Sequence, residues 1–70
     1  MKIGMLWFDN DTKKPFTEKC NRAIEYYQNK YNKIPNLIVV SPDTAISEIE
    51  NVKVQLSKSI MPNHFWVGRE

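Results

Sequence analysis

The chain has little of what small proteins commonly use for reinforcement or for chemistry. Its 70 residues include one cysteine, one histidine and two glycines. Because Cys20 is alone, an internal disulfide is impossible, and no cluster of cysteine and histidine exists that would bind zinc. Two glycines cannot supply a phosphate-binding loop, and no nucleophile-elbow motif is present. We therefore expect no metal and no cofactor.

Charge of one sign and long apolar runs are also scarce. The net charge of +2 is too small to argue for a nucleic-acid partner by itself. No stretch approaches the roughly 20 apolar residues that span a bilayer. The apolar start of the chain ends at Asp9, which is too early for a signal peptide. Together with a single free thiol, these features predict a cytoplasmic protein without membrane contact.

A chain of this length makes one small domain, residues 1–70. Such a domain buries only roughly 60% of the surface that it exposes when unfolded. Its stability is therefore marginal unless a disulfide, a metal or a partner helps. The first two are missing, so either a very good core or self-association is expected.

The first half of the chain predicts a βαβ unit. Residues 2–8 are apolar on both faces and indicate a buried strand. From Pro15 to Asn32 apolar residues recur at helical spacing, with Pro15 at the first helical position and Asn32 in the left-handed conformation that ends helices. The stripe consists of Phe16, Cys20, Ala23, Ile24, Tyr27 and Tyr31. Residues 37–40 are β-branched or leucine and indicate a central parallel strand.

The second half predicts smaller elements. Ser41-Pro42-Asp43 is a helix-start signal, and a short apolar face extends to Ile49. Residues 52–56 alternate between apolar and polar, as in a half-exposed strand. Pro62 and Asn63 suit the central positions of a type I turn.

That turn would close a C-terminal hairpin in which Ile60 pairs with Phe65 and Ser59 with Trp66. The expected fold is thus α/β: a βαβ unit plus a C-terminal β-hairpin. It would form a mixed sheet of about four strands with one long helix and room for a second short one. The aromatic end of the chain is predicted to be structural, completing the sheet.

An acidic cluster is the best-placed group for catalysis. Asp9 and Asp11 follow the first strand, at the sheet edge where ligands gather in α/β proteins, and paired carboxylates could hold magnesium. Haloacid-dehalogenase-type enzymes use an Asp-x-Asp motif there, but Lys13 stands where those enzymes have Thr or Val. Turn formation and helix capping explain the same residues without chemistry.

His64 is the other weak catalytic candidate, because its ordinary pKa lies near neutrality. It has no evident partner in sequence, and a hydrogen-bonded turn residue is the simpler interpretation. Asp9, Asp11 and His64 together define the alternative function, a metal-assisted hydrolase. Cys20 lies on the apolar stripe and is expected to behave as a small hydrophobe rather than a nucleophile.

The side of the helix away from the core carries cations and one aromatic residue. Lys19, Arg22, Tyr26 and Lys30 are spaced three or four residues apart and could follow a phosphate backbone. A solvated helix face explains the same pattern. These four residues are the candidate binding residues for nucleic acid.

One helix can cover only one face of a small sheet. Because the first two strands are apolar on both faces, the second face also needs a cover, and exposed patches of this kind mark interfaces. We expect that face, with Trp7 or Trp66 near it, to pack against a second copy. The function indicated is non-enzymatic binding or assembly as a homodimer.

Four phrases of the chain resemble those of short uncharacterised bacterial proteins. They are Leu6–Asp11, Tyr26–Tyr31, Ile34–Asn36 and Met61–Gly68. The resemblance covers nearly the whole chain. It implies no activity, cofactor or site residue.

Overall fold

The computed structural model describes residues 4–69. Its elements are β1 (Gly4–Phe8), α1 (Phe16–Tyr31), β2 (Leu37–Val40), β3 (Lys53–Leu56) and β4 (His64–Gly68). The strands form one mixed sheet in the order β1-β4-β2-β3. The predicted α/β class, with one long helix and a four-stranded mixed sheet, is confirmed. Residues 2 and 3 of the predicted first strand lie outside the described residues.

Helix α1 begins and ends near the predicted residues. Pro15 was expected at the first helical position but is the N-cap residue, in an extended conformation (φ −70°, ψ 161°), and the helix begins at Phe16. The Pro15 carbonyl accepts the Lys19 N–H at 3.2 Å. Asn32 ends the helix in the predicted left-handed conformation (φ 57°), and its N–H donates to the Gln28 carbonyl at 2.8 Å. No helix within residues 4–69 has the length and apolarity needed to cross a membrane.

The core lies between α1 and one face of the sheet. Helical spacing places one apolar stripe of α1 on the sheet, and the two-residue period of the strands places alternate residues under it. The buried cluster consists of Cys20, Ala23, Tyr27, Ile38, Val40, Phe65 and Val67. The predicted stripe therefore supplies the helical side of the core.

The predicted C-terminal hairpin is wrong in its pairing. Strand β4 does not pair with β3 but lies between β1 and β2, antiparallel to both. Phe65 lies opposite Trp7 and Val40, not opposite Ile60. The physical reason is burial. The apolar strand β4 gains most at the centre of the sheet, whereas β3, with Lys53 and Gln55, suits an edge.

Consequently, β1 and β2 run parallel without being neighbours, and the βαβ unit is split by β4. Strand β2 is central, as predicted, and pairs parallel to β3. The short second helix is absent from the described chain. Residues 42–44 form a turn in which the Thr44 N–H donates to the Ser41 carbonyl at 3.1 Å. Two helical turns would be marginal without more apolar contact.

The turn before β4 includes the predicted residues but is of a different type. The His64 N–H donates to the Met61 carbonyl at 3.1 Å, which places Pro62 and Asn63 at the central positions. Asn63 has φ 65°. A positive φ at the third position defines a type II turn rather than type I, and asparagine tolerates it.

Candidate functional site

One face of the sheet is covered by α1, and no helix or strand of residues 4–69 covers the other, which we call the open face. On β1 it carries Leu6 and Phe8, which are 61% and 56% exposed. The remaining strand side chains on this face are those of Leu37, Val39, Lys53, Gln55, His64 and Trp66. The open face is therefore mainly apolar and aromatic, with Lys53 and Gln55 on β3 and His64 at the start of β4 as its polar side chains.

The two tryptophans lie on opposite sides of the sheet. Trp66 lies on the open face, where its indole is in contact with Gly4. Trp7 lies on the helix side, with its ring centroid 5.3 Å from that of Tyr26. Its Nε1 is buried and has no hydrogen-bond partner among the described residues. Of the two aromatic residues considered for the interface, Trp66 is the one on the open face.

His64 is oriented by the turn that precedes β4. Its Nδ1 lies 2.9 Å from the carbonyl oxygen of Pro62. Because a carbonyl can only accept, Nδ1 carries the proton in this contact, and Nε2 is the acceptor of the neutral ring. The imidazole also lies 4.9 Å, centroid to centroid, from the Phe8 ring. These contacts are those of a turn residue at the rim of the open face.

The acidic residues after β1 are used in local turns. The Asp9 carboxylate accepts the Asp11 N–H at 3.0 Å, and the Asp11 carboxylate accepts the Lys13 N–H at 2.8 Å. The second Asp11 oxygen lies 3.7 Å from the Lys14 ammonium. Such side-chain-to-backbone bonds are typical of turns. They engage one carboxylate oxygen of Asp9 and both of Asp11.

Asp9 and His64 do not line the same cavity. Asp9 lines a cavity of about 310 Å³ on the helix side, together with Ser41 and Phe65, whereas His64 lies at the rim of the open face. Within residues 4–69, no group of three or more His, Cys, Asp or Glu side chains could hold a metal ion. The metal-assisted hydrolase stays a prediction. Titration with magnesium or zinc, followed by the amide signals of Asp9, Asp11 and His64, tests it, and unchanged spectra would remove it.

Cys20 is fully buried on the core side of α1. Burial raises the pKa of its thiol from 9.0 to about 12, because a thiolate is poorly solvated among apolar side chains. Nucleophilic cysteines need the opposite shift. The thiol is protonated at neutral pH and acts as a core side chain.

The candidate nucleic-acid residues occupy different surroundings along α1. Lys19 lines the cavity that contains Asp9. Arg22 and Tyr26 line a groove of about 400 Å³ beside β1, which we call the β1 groove. Tyr26 is 51% exposed, and the Lys30 ammonium lies 5.5 Å from the centroid of the Tyr31 ring. The four residues thus do not share one surface: Lys19 lines the first cavity, Arg22 and Tyr26 line the β1 groove, and Lys30 lines neither.

The free edge of β1 is a feature that the sequence interpretation missed. Strand β1 is the outermost strand next to the β1 groove, which is lined by Trp7, Arg22, Glu25, Tyr26 and Asn29. The segment from Gly4 to Phe8 contains no charge and no proline, and this was the available signal. It could not be interpreted without knowing that β4 separates β1 from β2.

Fold and surfaces define a small α/β protein with one open sheet face and one uncharged strand edge. The sequence matches no protein-family model, and comparisons with curated proteins and with solved structures find no significant similarity.

Proposed function

We propose that the protein is a small non-enzymatic assembly protein that acts as a homodimer, with its open face packed against a second copy. The observation that carries the proposal is the one-sided cover of the sheet. Helix α1 buries one face, and on the other Leu6 and Phe8 are more than half exposed beside Trp66. Isolated exposed apolar residues are common, but a contiguous apolar patch on a sheet marks an interface.

A second copy fits the composition of this face. Interfaces have an apolar, aromatic centre and a polar rim. The open face has Val39 and Trp66 toward its middle, with Lys53 and Gln55 on the outer strand β3. None of its strand side chains is acidic, so pairing two copies about a two-fold axis buries no carboxylate from these strands. The apolar centre of one copy meets the same centre on the other.

The self-association is tested by sedimentation equilibrium at tens of micromolar. Val39→Lys adds a charge at the middle of the open face and should weaken association by roughly tenfold or more, because an unpaired charge is costly to bury. Gln28→Lys adds the same charge on the exposed side of α1 and should leave association unchanged. A wild-type chain that is monomeric under these conditions would contradict the proposal.

Nucleic-acid contact through Lys19, Arg22, Tyr26 and Lys30 is the second candidate. What favours it is Tyr26, which is about half exposed and shares the β1 groove with Arg22. A base can stack on an exposed aromatic ring beside a cation. Binding to mixed DNA and RNA is measured at low salt and repeated at rising salt. Absent binding, or binding that does not weaken with salt, argues against this candidate.

A further inference from the structure

Strand β1 forms an unprotected edge of the sheet. Natural proteins usually protect such edges with lysine, proline or a bulge, because the unpaired backbone groups accept another strand. The opposite edge, β3, begins with Lys53. Strand β1 has no charged residue and no proline between Gly4 and Phe8. Within residues 4–69 it pairs on one side only, with β4.

The hydrogen bond at the end of β1 shows which backbone groups face outward. The Asp9 N–H donates to the Asn63 carbonyl at 3.0 Å, and this pair continues the β1–β4 register. In an antiparallel ladder, hydrogen-bonded and non-hydrogen-bonded pairs alternate. Asp9 bonds to Asn63 of the β4 side, so every second residue before it does the same. Trp7 and Met5 therefore direct their N–H and C=O groups toward β4.

The intervening residues, Gly4, Leu6 and Phe8, direct their N–H and C=O groups away from β4, toward the free edge. They are spaced symmetrically about Leu6. We propose that β1 pairs in antiparallel orientation with the β1 strand of a second copy, about a two-fold axis at Leu6. Leu6 then lies opposite the partner's Leu6, and Phe8 lies opposite the partner's Gly4. Each pair exchanges two main-chain hydrogen bonds, so every outward group of β1 is satisfied.

Side chains on the open face are complementary in this register. The bulky ring of Phe8 lies opposite the partner's Gly4, which has no side chain of its own. The partner's Trp66 covers that glycine, as Trp66 covers Gly4 within one chain. The ring of Phe8 therefore meets an indole across the two-fold axis. Aromatic contacts across a glycine in a neighbouring strand are a known way to pin strand register.

On the helix side, Met5 comes to lie opposite the partner's Trp7. Thioethers pack well against aromatic rings, and the β1 groove of about 400 Å³ leaves room for the side chain. Helix α1 contacts the sheet chiefly at β4, one strand inside the edge. The two helices would then lie about 14 Å apart, three strand spacings of about 4.8 Å. This exceeds the roughly 8–10 Å of packed helices, so they do not collide.

The edge pairing goes beyond the proposed function, because it uses the backbone of β1 rather than the open face. Pairing at β1 also joins the two four-stranded sheets into one continuous eight-stranded sheet, so that the two open faces form one surface. Two such pairs packed through their open faces would close a four-copy assembly with two-fold axes, the commonest symmetry of tetramers. Either interface can exist without the other, and their tests are therefore separate.

A cysteine cross-link tests the register. Leu6→Cys places two thiols on residues that face one another across the axis, with Cα atoms about 5.5 Å apart, a separation that disulfides accept. Phe8→Cys is the matched control, because it lies on the same strand and face with similar exposure. Its Cα would lie about 14 Å from its symmetry mate. The buried Cys20 does not compete.

Under mild oxidation Leu6→Cys should form a covalent dimer at least tenfold faster than Phe8→Cys. Absence of the Leu6→Cys dimer, or equal rates for both variants, would overturn the edge pairing. Repeating the reaction with a double variant that carries both Leu6→Cys and Val39→Lys separates the two proposals. A retained cross-link supports the edge even if the open face does not associate.

A backbone variant tests the hydrogen bonds. Leu6→Pro removes an outward N–H that does not bond to β4, and proline is tolerated at such positions of edge strands. Leu6→Ala loses the same leucine side chain but keeps the N–H. In the Val39→Lys background, Leu6→Pro should dimerise at least tenfold more weakly than Leu6→Ala, with circular dichroism unchanged. Equal dimerisation by the two folded variants would count against the proposal.

Discussion

Gly4 and Trp66 are packed so closely on the open face that position 4 has no room for a side chain. An ideal Cβ at Gly4 would lie 2.9 Å from Cη2 of the Trp66 indole and closer still to two other ring atoms. The two residues belong to neighbouring strands, β1 and β4, and are diagonal in the register. The glycine is required by this contact rather than by a turn.

Gly4→Ala should therefore destabilise the fold by about 1–3 kcal/mol, the usual cost of forcing an extra carbon into a packed site. Urea unfolding measures this change. In a Trp66→Ala background the same substitution meets no indole, so its cost should largely disappear. An equal cost in both backgrounds would show that backbone effects, not the Trp66 contact, determine the residue at position 4.

Stability at alkaline pH should report the burial of Cys20. Its pKa is about 12 in the native state against an ordinary value of 9.0. Above pH 9 the unfolded chain loses this proton while the native chain keeps it. The contribution of the buried thiol to the free energy of unfolding is therefore fully present below pH 9. As the pH rises from 9 toward 12, this contribution falls by up to about 1.4 kcal/mol per pH unit.

The matched comparison is with Cys20→Ala, which lacks the thiol but shares every other titrating group. The wild type should be the more stable protein at pH 8, because the alanine leaves a small cavity. Its advantage should shrink by about 2 kcal/mol between pH 8 and 10.5. Urea unfolding at both pH values measures it, and a constant difference would contradict the burial effect.

Removing the C-terminal strand should unfold the domain. A chain that ends at Ser59 lacks β4, which joins β1 to β2 and supplies Phe65 and Val67 to the core. Amide spectra of this chain should lose native dispersion. A chain that ends at Gly68 retains all of β4 and should stay folded. Native-like dispersion after the longer deletion would show that the remaining elements fold by themselves.

Part of the candidate site could be predicted from the sequence. Because β1 is apolar on both faces, the sequence indicated that one helix would leave the second face of the sheet uncovered. Which tryptophan lies on the open face depends on strand parity. Trp7 lies half-buried beside Tyr26 because its strand neighbours Leu6 and Phe8 lie on the other face. That Asp9 and His64 do not line the same cavity depends on the path of the loops, and local patterns carry no information about that path.

Periodicity, capping and turn chemistry were decided by the sequence itself. The helical stripe, the left-handed Asn32 and the Pro62–Asn63 turn are local, because each depends on residues within a few positions of one another. The order of the strands was decided only by tertiary structure. Inserting β4 between β1 and β2 requires contacts across some 60 residues, from Gly4 to Gly68. It wins over a local hairpin because it buries the apolar strand β4 at the centre of the sheet. The same insertion leaves the uncharged strand β1 at an edge.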